Sequence, residues 1–177
     1  DEKNFIDTLY KVTKGWAAGL IFLTEYLMVG KNDFVLDEKK TLPEEIIDYF
    51  DEEVCSNIDP EIVSFLIKTS ALPFITPYTA KAITGSGHAN RILSHLYRRN
   101  CFIEKQTPNQ MVYQYHPLFK KFLLAKAQEY FSGNEYVHLQ QNAAKLMVQT
   151  GQTEEAIELF LSSGINDSAA RLIVLKA

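Results

Sequence analysis

Apolar positions recur at helix spacing along most of this chain, with one short exception past its middle. Leu42, Ile46, Phe50 and Val54 share one side of a segment whose other side holds Glu44, Glu45, Asp48, Asp51, Glu52 and Glu53, which predicts a helix with a core face and a solvated face. The spacing of Thr41 and Glu44 predicts a capping box at its start. Ile62, Phe65 and Leu66 form the stripe of the next helix, opened by Asp59 as N-cap and Pro60 at the first helical position. Thr76-Pro77 starts another, which Gly85 ends. A fourth turns Ile92, Leu93, Leu96 and Tyr97 inward and Asn90, Arg91, Ser94, His95, Arg98 and Arg99 outward, and Asn100 closes it in the left-handed conformation. The period then changes. Cys101 to Gln106 and Met111 to His116 alternate as strands do, around the turn residues Thr107-Pro108-Asn109-Gln110. Helix spacing returns with Leu118, Phe119, Phe122 and Leu123, and Pro117 fits the first position of that helix.

Short helices followed by a hairpin are the parts of a winged helix, with the arginine-bearing helix in the recognition position. Ahead of it, Phe5, Ile6, Leu9 and Tyr10 lie on one stripe, and the pattern breaks at Thr13-Lys14-Gly15. The compact run Gly15 to Leu20 leads into a buried helix, Leu20 to Met28, and the charged stretch Gly30 to Lys40 reads as a linker. Small residues beside Trp16 let another backbone or a flat ligand come close. Behind the hairpin, helices are predicted over Pro117 to Phe131, Tyr136 to Thr150, Thr153 to Leu161 and from Asp167 on. Asn142-Ala143-Ala144-Lys145-Leu146 nearly repeats as Ser168-Ala169-Ala170-Arg171-Leu172, an offset of 26 residues, as at the start of a helical repeat array. The fold class expected is mainly α: a winged-helix domain with a small hairpin wing over residues 41–131, an N-terminal helical segment over 1–40, and the start of a TPR-like array over 132–177.

Composition narrows the chemistry. The chain has 177 residues, 46% hydrophobic, with eleven Phe, nine Tyr and one Trp, enough for a well-packed interior. A net charge of −4 exerts no general pull toward nucleic acid, so such a contact needs a local basic patch. Arg91, Arg98 and Arg99 are the candidates for a phosphate or partner contact. Cys55 and Cys101 fall in no metal-ligand spacing and read as buried thiols. The longest apolar run, Gly15 to Leu23, is short of the roughly 20 residues a membrane span needs, and a soluble cytoplasmic protein without membrane contact is expected. The chain begins without Met and stops inside a helical pattern, as a piece of a longer protein would. It holds no Gly-rich phosphate loop, no histidine pair at metal spacing and no nucleophile beside a base, so no catalytic or metal residue is assigned and no enzyme is expected from this segment alone. His88, His95 and His138 read as surface or cap residues. His116 differs, because it stands where strand, proline and helix meet, beside a helix N-terminus that favours anions.

Gly15-Trp16-Ala17-Ala18-Gly19-Leu20, Ile67-Lys68-Thr69-Ser70-Ala71-Leu72, Leu93 to Phe102, Tyr115-His116-Pro117-Leu118-Phe119 and Glu154-Glu155-Ala156-Ile157-Glu158 occur in that order. Together they resemble the middle of the large ATP-dependent LuxR-family transcriptional regulators of the maltose-regulon-activator type, over nearly the whole chain. The resemblance implies a signal-transduction ATPase with a P-loop nucleotide domain, a winged helix, a superhelical sensor and a C-terminal LuxR-type DNA reader. Residues 1–40 would then be the tail of the nucleotide module, with P-loop and DNA reader outside the segment. It also implies that the winged helix clamps bound ADP in the inactive state, with His116 on the diphosphate and with Trp16 and Ala17 in the upstream nucleotide-sensing motif, Ala17 at the position near the adenine. The class often has Asp after the histidine and Pro after Gly-Trp, where this chain has Pro117 and Ala17. ADP or ATP would bind the full-length protein and not this segment tightly. The implied partners are the protein's own nucleotide-binding domain, promoter DNA through the C-terminal domain, an inducer that these residues do not identify, and further copies on activation. Two other readings stand beside this one: a DNA-binding winged-helix repressor that uses Arg98 and Arg99, and a nucleotide switch with an enzyme or scaffold as output.

Overall fold

The computed structural model describes residues 7, 9, 10, 13–28 and 42–176. Phe5, Ile6, Thr41 and the expected linker Gly30 to Lys40 lie outside the described residues. Helix α1 spans Ala17–Met28. Only part of it is buried: Leu23 is fully enclosed, whereas Leu20 and Ile21 are 42% and 56% exposed, so the expectation of a buried helix holds for one face alone. Tyr10, expected on the inward stripe with Leu9, is 68% exposed.

Helix α2, Glu44–Tyr49, begins two residues later than a Thr41 cap would place it. Pro43 is its N-cap, in extended geometry and without a side-chain cap, so Glu44 opens the helix and is not the fourth residue of a capping box. The helix runs into a π turn, Phe50–Val54, and a 3-10 turn, Cys55–Asn57. That widening has a sequence reason. Apolar residues at every fourth position drift about 40° per step around a helix of 3.6 residues per turn, and a π turn rotates less per residue and takes up the drift. Leu42, Ile46, Phe50 and Val54 are all buried as a result. The acidic row faces solvent, except that the half-buried Asp51 pairs with Lys126 at 2.8 Å.

The winged helix follows. Helix α3, Pro60–Thr69, starts as the sequence predicts, with Asp59 accepting from the Glu61 N–H at 2.8 Å. Helix α4, Pro77–Thr84, has a reciprocal Thr76/Thr79 capping box and ends at Gly85 with φ 75°, the left-handed value that glycine adopts without strain. Helix α5, Ala89–Arg98, ends in a Schellman turn. There Asn100, at φ 52°, donates to the Tyr97 carbonyl and Cys101 donates to that of Leu96. Leu93 and Leu96 of α5 are buried and Ile92 half-buried, as expected, but Tyr97 is 39% exposed. Its ring lies flat enough on the surface to take the Lys105 ammonium 5.1 Å from its centroid.

Strands β1, Ile103–Lys105, and β2, Tyr113–Tyr115, pair antiparallel with Ile103 opposite Tyr115. Ile75, before α4, exchanges both backbone hydrogen bonds with Tyr113 at 2.8 Å and adds a one-residue third strand. Tyr115 turns inward, and its hydroxyl meets that of Thr69 on α3 at 2.7 Å. Helix α6, Pro117–Tyr130, packs on α3 and leads to α7, Gly133–Gln149, which Ser132 and Glu135 cap reciprocally. Helices α8, Thr153–Ser162, and α9, Asn166–Lys176, complete the chain. The turns between α7, α8 and α9 are two copies of one device: Gly151 and Gly164 are left-handed, each inside a Schellman turn. Ala144 and Ala169, from the two similar stretches, meet with Phe160 in a small separate core.

Candidate functional site

The corner between β2 and α6 is built around His116. Pro117 fixes the first helical φ and donates nothing, so His116 is left as N-cap in extended geometry (φ −54°, ψ 136°) without capping through its side chain. Its backbone N–H donates to the Phe102 carbonyl at 2.8 Å, which holds the corner against the start of the wing. The imidazole is 5% exposed and points across the fold. Nε2 lies 2.7 Å from the carbonyl oxygen of Thr13, 103 residues earlier in the chain. A carbonyl only accepts, so Nε2 carries the proton, and Nδ1 is left as a buried lone pair without a hydrogen-bond partner. Burial pushes the imidazole pKa below its ordinary value, against the opposing pull of the Thr13 carbonyl and of Glu104. The ring is neutral.

The Thr13 carbonyl is available because the helix around Leu9 stops there. Lys14 and Gly15 both have positive φ, 44° and 83°, and the chain reverses so that Trp16 donates its N–H to the same carbonyl at 2.7 Å. Lys14 adds an ion pair to Glu104 of β1 at 2.9 Å, partly exposed and so of small energetic weight. The segment around residues 13–16 is thus fastened to the wing and to the corner.

Trp16 supplies the larger part of that attachment. Its ring stacks on Phe50 with centroids 5.4 Å apart and meets Phe102 edge-on at 5.2 Å and His116 edge-on at 6.1 Å. Tyr49 lies 5.1 Å away, tilted. Each such pair contributes roughly 0.5–1.5 kcal/mol beyond the area it buries. Phe102 holds its place at φ 52°, a left-handed value rare for a bulky residue, and its rings of contact reach Phe50 and Phe119 as well as Trp16. The close approach expected beside Trp16 is made by its own helix: a Cβ on Gly19 would stand 2.1 Å from the indole. Gly19→Ala gains up to about 1 kcal/mol of helix propensity but must displace the indole, at about 1–3 kcal/mol, so a net loss is expected. Because Trp16 is the only tryptophan, a red shift of its emission in the folded variant checks this directly.

The other residues singled out by sequence fall elsewhere. Ala17 is exposed at the start of α1, next to the cluster but not in it. Arg91, Arg98 and Arg99 are exposed on α5, apart from the His116 corner. His88 is the N-cap residue of α5 without capping through its side chain, and His95 and His138 are exposed. Cys55 and Cys101 are free and half-buried, and burial with help from Asp51 pushes the Cys55 thiol up to about 11. No group of three metal-ligating side chains gathers among the described residues, and no helix among them is long and apolar enough to cross a membrane. Sequence reasoning did not find Thr13 or the ring cluster of Tyr49, Phe50 and Phe102. A backbone carbonyl leaves no mark in sequence, and Phe102 lies some fifty residues from the adjacent Tyr49 and Phe50.

Residues 51–135 match the model of the MalT winged helix domain. Over 117 residues the chain is 28% identical to the HTH-type transcriptional regulator MalT of Cronobacter sakazakii (strain ATCC BAA-894) and, to the same extent, to that of Klebsiella pneumoniae (strain 342). These alignments cover 66% of this chain and 13% of each relative, so the chain spans a small part of the length of the curated relatives it matches. The matched region takes in the π turn after Phe50, the helices and hairpin of the winged helix, α6 and the first three residues of α7. On these grounds residues 51–135 are similar to the MalT winged helix domain, and the chain resembles a segment of the MalT-type regulators.

Proposed function

We infer that this chain is the regulatory joint of a nucleotide-switched transcriptional regulator, in which the winged helix holds a nucleotide-binding domain in its inactive arrangement and passes the signal between that domain and a helical sensor. The observation that carries the reading is the His116–Thr13 bond. A buried imidazole with one nitrogen on a carbonyl 103 residues away and the other unpartnered gives the join between the winged helix and the segment in front of it, alongside the Trp16 packing and the Lys14–Glu104 pair, one polar contact that rotation of a ring removes. Nε2 has one proton to give. It serves Thr13 or, after a rotation of the ring, another acceptor such as the diphosphate of ADP, but not both.

Two arrangements that compete for one donor form a switch, and a few kcal/mol of difference in ligand affinity is enough to shift its population. The α6 N-terminus beside His116 favours an anion at that place. Trp16 would leave its ring cluster with the segment and report the change. The test is His116→Ala in the full-length protein: faster loss of bound ADP and activity with less inducer are expected. Unchanged ADP retention and unchanged inducer dependence would refute the role.

A further inference from the structure

We propose that the exposed face of α5 and the adjoining wing form a second, separate site that binds duplex DNA, with α5 in the major groove. The proposal does not depend on the nucleotide reading. The chain has 22 acidic residues, yet between Ile62 and Ile103 there is none, so α3 after its first turns, α4, α5 and the turns between them are free of negative side chains. The same stretch carries Lys68, Lys81, Arg91, Arg98 and Arg99. A net charge of −4 for the whole chain therefore conceals a positive module bounded on both sides by acidic segments.

Geometry places the three arginines on the exposed side of one helix. Helices α4 and α5 are packed together and joined by the four residues Gly85 to His88, the arrangement in which the second helix of a helix-turn-helix reads a groove. Arg91, His95 and Arg98 follow at helix spacing on the exposed side of α5, and Arg99 continues past its end. No ion pair among the described residues involves Arg91, Arg98 or Arg99. On β1 the alternation of side chains separates the two charges. Lys105 lies against Tyr97 of α5, whereas Glu104 is turned to Lys14 and neutralised there. The one carboxylate of the wing is thus withdrawn from the basic face. Arg91, near the α5 N-terminus, is placed for base edges, and Lys81, Arg98, Arg99 and Lys105 for the phosphates on either side.

The test is fluorescence anisotropy of a labelled duplex of about 20 base pairs, titrated with the chain between about 50 and 200 mM salt. About four phosphate contacts predict a slope of log K against log salt near −3.6, and Arg98→Ala with Arg99→Ala should flatten it by about 1.8 and weaken binding about tenfold or more at low salt. Lys145→Ala with Arg171→Ala, two exposed charges on α7 and α9, should leave both unchanged. Lys81→Ala with Arg91→Ala, one phosphate contact and one base contact from the other end of the face, should weaken binding and flatten the slope by about 0.9, should the first variant melt early. Failure of the unaltered chain to bind at the lowest salt overturns the proposal and leaves the face to an acidic protein surface. Equal losses in the α5 variant and the Lys145/Arg171 variant overturn it as well.

Discussion

Phe50→Ala is expected to lower the unfolding free energy by about 3–5 kcal/mol, the range for truncating a fully buried phenylalanine. Phe50 is fully enclosed and touches five other rings: Trp16, Tyr49, Phe102, Phe119 and Phe122. These belong to the segment before α1, to α2, to the start of the wing and to α6. No single backbone shift closes the cavity, because the rings around it are held by different elements. A domain of ordinary stability, about 5–15 kcal/mol, would be left marginal. Urea unfolding followed by Trp16 emission and by far-UV circular dichroism measures the loss. The two probes should separate in the variant, with emission changing first as the segment around Trp16 detaches. Tyr78→Ala, at an exposed ring, should stay within about 0.5 kcal/mol. A loss under about 1 kcal/mol for Phe50→Ala would mean that the ring cluster does not join these elements.

Acidification is expected to loosen the same join through His116. Burial depresses its pKa in the folded chain below the ordinary 6.5. Below pH 6.5 the unfolded chain takes up a proton that the folded chain refuses, so the unfolded state binds more protons and stability falls with pH. The contribution is fully present above pH 6.5, declines as pH drops below it, and levels off once the folded imidazole also titrates. Protonation would place a second N–H on Nδ1, where no acceptor stands. His116→Gln retains an N–H donor for the Thr13 carbonyl and does not titrate. The difference in melting temperature between the unaltered chain and this variant should therefore shift against the unaltered chain on going from pH 7.5 to about 5, an interval set by the direction of the shift. Carboxylates titrate alike in both proteins and cancel. Parallel curves over that interval would show that the imidazole is not buried in its neutral form.

Much of the frame was legible because short-range chemistry decides it. Asp59-Pro60, Thr76-Pro77, Gly85 and Asn100 each do in the fold what their side chains or allowed φ values dictate locally. The stripe Leu42, Ile46, Phe50 and Val54 gave the right face, although its strict fourfold spacing was a sign of the π turn that helix reasoning passed over. Periodicity assigns a side and not its cover, which is why Tyr10, Leu20, Ile21 and Tyr97 were placed too deep. Of the candidate site, His116 was visible from the change of period around it. Its partner was not, since Thr13 acts through its backbone and 103 residues separate the two. Phe102 at positive φ is likewise invisible, because nothing local favours it and only the surrounding rings hold it there.

The span between Thr13 and His116 also sets an order of events during synthesis. At about 5–20 residues per second, the ribosome delivers His116 roughly 5–20 s after Thr13. Helices α3 to α5 make mostly near-neighbour contacts and can assemble in a small fraction of that interval. Trp16 meanwhile meets Tyr49 and Phe50 but not yet Phe102 or His116, so two sides of its ring stay open. Whatever the nascent chain offers in front of residue 13, or a chaperone that binds exposed apolar helices, has the first opportunity to cover them, and the last strand of the wing arrives as a competitor for a surface already in use.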